Sequence, residues 1–219
     1  MEEHSLKVSR TARYYSLGKA GKHIKNLWIV CHGYGQLASR IIQKFDAFDD
    51  GETLIIAPEG LSRFYWEGVT GMVAASWMTK AGRLDEINDY ANYLSLLYEK
   101  TLTSLPDDVQ ICLFGFSQGC ATQVRWIMEK FPRFHHLILW AGFFPEDLDY
   151  LPHQPYFSDK DIRLIYGTED QFLTPERLEM HKRLLEVNQL KVKVKTFKGK
   201  HLIDREELNE MNRSIKELE

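Results

Sequence analysis

Gly115-Phe116-Ser117-Gln118-Gly119 joins a short apolar run to an amphipathic one, and the reading of that junction decides the fold. Val109 to Phe114, with Val109, Ile111, Cys112, Leu113 and Phe114, has the pattern of a buried strand. From Gln118 to Lys130, Ala121, Val124, Ile127 and Met128 recur at helical spacing. A G-x-S-x-G sequence alone is weak evidence; between a strand and a helix it predicts a tight turn that presents a serine hydroxyl. Reversing direction in so few residues strains the serine backbone and demands small residues two positions to either side, which Gly115 and Gly119 supply. The Ser117 hydroxyl then stands clear of the sheet, and the Gln118 amide at the helix N-terminus points at any oxyanion forming there. Glycines and a capping serine also occur at ordinary strand-to-helix junctions, so the serine needs partners before it means chemistry.

Partners follow in chain order. Ile162 to Tyr166 reads as a strand, and the loop after it, Gly167 to Thr174, ends at Pro175, which suits a helix start. Its acids are Glu169 and Asp170. Asp170 is the better orienting acid because it lies deeper in the loop and its shorter side chain loses less freedom when fixed; sequence leaves open which of the two turns inward. Lys191 to Phe197 alternates Val192, Val194 and Thr196 with lysines, as an edge strand does, and His201 follows directly as the candidate base. Each has an ordinary alternative, a turn aspartate and a solvated loop histidine. Serine, acid and histidine in this order, each after a strand, form the nucleophile, orienter and base of a triad.

Near the start of the chain, Leu27 to Cys31 reads as an apolar strand followed at once by His32-Gly33-Tyr34-Gly35. A glycine loop here suits the second oxyanion amide, with Tyr34 as the donor through its backbone N–H. His32 is expected to hydrogen-bond and fix the loop rather than act as a base.

These residues together resemble the phospholipase/carboxylesterase branch of the α/β-hydrolases, which includes acyl-protein thioesterases and small bacterial carboxylesterases. The likeness runs over nearly the whole chain, and Phe-Ser-Gln-Gly is more specific than the bare serine motif. It implies a single α/β-hydrolase domain over residues 1–219 that cleaves esters or thioesters. Two positions depart from the thioesterases: Gln36 stands where they usually have Asp, and Cys120 where they usually have Gly. Neither is nucleophile, base or acid, so the departures turn the reading from acyl-protein substrates toward small esters.

Composition agrees. A chain of 219 residues that is 44% hydrophobic, with mean hydropathy -0.35, can bury one α/β core. A net charge of -3 leaves no basic footprint for nucleic acid, and no apolar run approaches the roughly 18 residues that span a bilayer. Met1-Glu2-Glu3-His4 is acidic and lacks a signal-like apolar region, so cytoplasmic residence is the expectation. Cys31, Cys112 and Cys120 are odd in number and two fall in predicted buried strands, which argues against a disulfide framework. The eight histidines are scattered without metal-ligand spacing, so neither metal nor cofactor is expected.

Further strands are expected at Leu6 to Tyr15, Thr53 to Ala57 and Leu137 to Trp140, with helices at Ala38 to Phe45, Arg83 to Ser104, Pro175 to Asn188 and Asp204 to Leu218. Alternating strands and helices predict a mostly parallel central sheet with helices on both faces. Leu61 to Lys80 has no clean period. Its Phe64, Trp66, Met72 and Trp77 are candidates for an acyl or aryl pocket, or for packing at the sheet edge, and the segment is short for a mobile lid. The function expected is a serine hydrolase of small to medium carboxylic esters acting through an acyl-enzyme. An acyl-protein thioesterase or lysophospholipase is the alternative among enzymes, and a non-catalytic binding protein on the same fold is the alternative of another class. Oligomeric state is not legible.

Overall fold

The computed structural model describes residues 1–2 and 4–217. Among them the chain builds a central sheet ordered β1-β3-β2-β6-β7-β8-β9 and a separate two-stranded ribbon of β4 and β5. The strands are β1 (Tyr14–Leu17), β2 (Asn26–Cys31), β3 (Thr53–Pro58), β4 (Ser62–Tyr65), β5 (Val73–Ser76), β6 (Gln110–Phe116), β7 (His136–Trp140), β8 (Asp161–Gly167) and β9 (Lys193–Phe197). The helices are α1 (Ala38–Ile41, continued as a 3-10 turn to Phe48), α2 (Arg83–Leu102), α3 (Gln118–Lys130), α4 (Gln154–Phe157), α5 (Pro175–Val187) and α6 (Arg205–Lys216). Only β1 runs antiparallel in the central sheet. No helix among the described residues is long and apolar enough to cross a membrane.

The inner strands are apolar on both sides because both faces are covered. Leu27, Ile29, Ile111, Leu113, Leu137 and Leu139 face one core layer, against α2 and α3. The alternate residues Trp28, Val30, Cys112, Phe114, Ile138 and Trp140 face the other, against α1 and α6. The two-residue period of a strand divides a continuous apolar run between two layers.

Three expectations are corrected. The opening strand is only Tyr14–Leu17, not Leu6 to Tyr15: Leu6 and Val8 are 85% and 75% exposed and have no alternating partners to bury with them. Leu61 to Lys80 contains the antiparallel ribbon, pairing Ser62 with Ser76 through Tyr65 with Val73. Its two strands are four residues each, β4 partly exposed and β5 buried from Ala74 to Ser76, too short to leave a period in sequence. The first helix turns 3-10 after Ile41, and α4 was not expected. The expected end of the last helix at Leu218 lies outside the described residues.

Candidate active site

Tyr34, Ser117, Gln118, Asp170 and His201 each lie just beyond the carboxyl end of a parallel strand, where open α/β sheets gather their ligand sites. Ser117 follows β6 and caps α3 with φ 53° and ψ -115°, a conformation that L-residues rarely adopt. The flanking glycines are there for space. A Cβ on Gly115 would strike the Gly119 carbonyl and the Cys120 amide, and one on Gly119 would strike the Cys31 and His32 carbonyls. Gln118, at the first position of α3, has an amide with no acceptor within its own helix.

Of the two loop acids, Asp170 is buried and Glu169 exposed. His201 Nδ1 donates to Asp170 Oδ2 at 2.7 Å, and the Phe172 amide donates to Asp170 Oδ1 at 2.9 Å, so both carboxylate oxygens are engaged. Glu169 instead gives its amide to the Gly199 carbonyl at 2.8 Å, and Thr168 gives its amide to Phe197 at 2.8 Å. The two loops are thus stitched together by backbone bonds. Gly167 permits the crossing, because a Cβ there would strike the Gly199 and Lys200 carbonyls. The His201 ring lies between Phe172, 4.7 Å away between centroids, and Phe116, 5.0 Å away. Phe116 is the residue before Ser117. The Trp140 indole holds the Leu202 carbonyl at 2.9 Å, fixing the histidine loop from below.

His32 is fully buried and its bonds define its tautomer. The Gly60 amide donates to Nε2 at 2.9 Å, so Nδ1 carries the proton and donates to the Gly33 carbonyl at 2.7 Å. Burial lowers its pKa to about 4 against the contrary pull of the Gly33 carbonyl and Glu59, and a neutral ring satisfied on both nitrogens braces the loop. Gln36 completes the turn by accepting the Gly33 amide at 3.0 Å on Oε1. A Cβ on Gly33 would lie 3.2 Å from the Ser117 Cβ, which measures how closely this loop passes the serine.

A cleft of about 370 Å³ reaches His201 and Phe116 from the side of α1, walled by Leu37, Ile41, Met72, Val73 and Ile203. Of the four expected pocket residues, Met72 lines it. Phe64 and Trp66 pack on Tyr34, with ring centroids 5.5 and 5.8 Å away, and form a rim beside the cleft. Trp77 belongs to the core instead: it is 1% exposed, edge-on to Tyr90, with its indole N–H on the His32 carbonyl at 2.8 Å.

A family model described as Phospholipase/Carboxylesterase matches residues 15–219. The chain belongs to the phospholipase/carboxylesterase family. Its fold is that of the α/β-hydrolases. It is similar to acyl-protein thioesterase 2 of Zea mays (TM-score 0.74, 17% identity, covering 94% of this chain and 98% of that one). It is also similar to a carboxylesterase of Bacillus cereus (TM-score 0.68, 14% identity, 94% of each chain). A third likeness is a phospholipase/carboxylesterase of Dyadobacter fermentans (TM-score 0.62, 18% identity, 95% of this chain and 98% of that one). No curated protein matches the sequence.

Three features of this phospholipase/carboxylesterase site escaped the sequence reading. The Gln118 side chain accepts the Trp77 amide at 3.1 Å and donates to the Met78 carbonyl at 2.9 Å, tying the β4–β5 ribbon to the serine turn. Glu59 is 2% exposed; it pairs with Arg63 and accepts the Ala38 amide at 3.2 Å, holding the start of α1. Gly142 touches the turn from β7, where a Cβ would meet the Cys120 Sγ at 2.7 Å. Cys120 fills space that Gly142 leaves open. Only Gly142 carried a sequence signal, a glycine two residues past a strand.

Proposed function

We propose that the protein is a serine hydrolase that cleaves carboxylic esters of small to medium acyl chains through an acyl-enzyme on Ser117. The observation that carries this reading is the Asp170–His201 bond of 2.7 Å, in a cleft wall that also contains the residue preceding a strained serine. In the proposed reaction His201 Nε2 takes the Ser117 proton as Oγ attacks the ester carbonyl, while Asp170 holds Nδ1–H and stabilises the imidazolium. The Tyr34 and Gln118 amides receive the oxyanion. Collapse breaks the C–O bond, His201 hands its proton to the departing alcohol, and the acyl group stays on Ser117. Water, deprotonated by the same histidine, then releases the acid. No cofactor enters the reaction.

A second reading, thioester or lysophospholipid cleavage by the same steps, draws support from the half-exposed aromatic rim of Tyr34, Trp66 and Phe172, which suits a larger acyl carrier. A ladder of p-nitrophenyl esters from acetyl to palmitoyl, with Ser117→Ala as the blank, separates the two. A Ser117-dependent optimum at short chains supports the small-ester reading, and one at long chains the second. Rates that do not depend on Ser117 remove both.

A further inference from the structure

Resting on the proposed ester hydrolysis for the nature of the scissile bond, we infer that the substrate carries an anionic group, carboxylate or phosphate, which Arg40 and Lys44 receive. Leu37, Arg40, Ile41 and Lys44 all line the cleft that reaches His201. Leu37 caps α1, Arg40 and Ile41 lie in it and Lys44 lies in its 3-10 continuation, and together they put two cations and two apolar side chains on one wall. The facing wall, Met72, Val73, Leu202 and Ile203, is apolar, and no residue lining the cleft is acidic.

Among the described residues neither cation has an acidic partner. Arg40 Nη1 reaches only the Met72 Sδ, at 3.2 Å. Asp46, two positions beyond Lys44, is taken by Arg205 at 2.7 Å, and Glu59, beneath α1, is taken by Arg63. Two exposed cations on one wall of the cleft repel weakly, which an arriving anion would relieve. Both cations are exposed where they line the cleft, so their attraction for an anion is salt-sensitive, and the guanidinium fork suits the paired oxygens of a carboxylate or phosphate.

Two matched substrate series test this. In one, p-nitrophenyl half-esters of succinic, glutaric and adipic acids are compared with neutral esters of equal length, which puts the charge on the acyl side. In the other, butyrate esters of 3-hydroxybenzoate and of 3-methylphenol put it on the alcohol side. The quantity read is the charged-to-neutral ratio of kcat/KM, so a general loss of activity cancels. The ratio is expected to fall about fivefold or more in Arg40→Met/Lys44→Met in one series, and to fall with rising salt in the wild type. An unchanged ratio in both series overturns the inference. Calorimetric binding of adipate and of phenyl phosphate to Ser117→Ala protein reads the same groove without turnover. Binding to this variant that requires Arg40 and Lys44, together with a wild-type protein that hydrolyses no ester, sustains the anion site and removes the hydrolase. Ester turnover with neither charge preference nor binding does the reverse.

Discussion

Asp170 and Glu169 are adjacent carboxylates in opposite surroundings, one buried with both oxygens bonded and one in solvent. Asp170→Asn is expected to lower kcat/KM for p-nitrophenyl butyrate by about 10³- to 10⁴-fold, because the amide favours the wrong imidazole tautomer. Glu169→Gln should stay within about twofold, as exposed substitutions do. Equal losses in the two variants would move the acid from the position proposed for it. His32 makes a different prediction. Its folded pKa is about 4 against an ordinary 6.5, so between those values the unfolded chain binds a proton that the folded one refuses. Its contribution is complete above pH 6.5 and declines as pH falls toward 4, by about 3 kcal/mol. His181, also buried and lowered to about 4, adds in the same direction. Urea midpoints at pH 7.5 and 4.5 should therefore differ by less in His32→Gln than in the wild type, and equal differences would assign the acid sensitivity elsewhere.

The loops after β8 and β9 cross at Gly167, and the ribbon is held to the serine turn through Gln118. Gly167→Ala would push a Cβ into the Gly199 and Lys200 carbonyls and displace the loop that carries His201. The expected outcome is a fall in kcat of more than about tenfold, since small misplacements of a reacting group are costly. Gln118→Ala strands the Trp77 amide and should lower stability by about 1 to 3 kcal/mol, measured by urea unfolding. The serine, acid and histidine positions were legible because each follows a strand long enough to show its pattern. The turn around Ser117 was legible for a second reason, that its steric demands fix residue types two positions away. The β4–β5 ribbon was not legible, because its strands are only four residues long, and Trp77 stayed open between pocket and packing because an aromatic in a glycine-broken segment looks alike in a wall and in a core. The bonds of Gln118 and Glu59 join residues about 40 and 20 positions apart, and no local pattern encodes them.

The two-layer core also shelters the thiols. Cys31, Cys112 and Cys120 are buried, and desolvation raises the pKa of Cys31 and of Cys120 well above the ordinary thiol range. A thiol-reactive dye should find none of the three in the native protein and all three in denaturant; rapid native labelling would contradict so closed a core. The parallel sheet and its covered faces were readable from alternating strands and helices, whereas the antiparallel pairing of the short β1 with β3 is a long-range choice that four residues cannot announce. Everything proposed for the cleft depends on Ser117 being an activated nucleophile. The direct test is to treat the folded protein with a fluorophosphonate and locate the adduct by peptide mass. A single adduct on Ser117, slowed at least about a hundredfold in His201→Ala, is the predicted result. A folded protein that takes no label, or takes it at another residue, would contradict the account and leave a binding protein on a hydrolase fold.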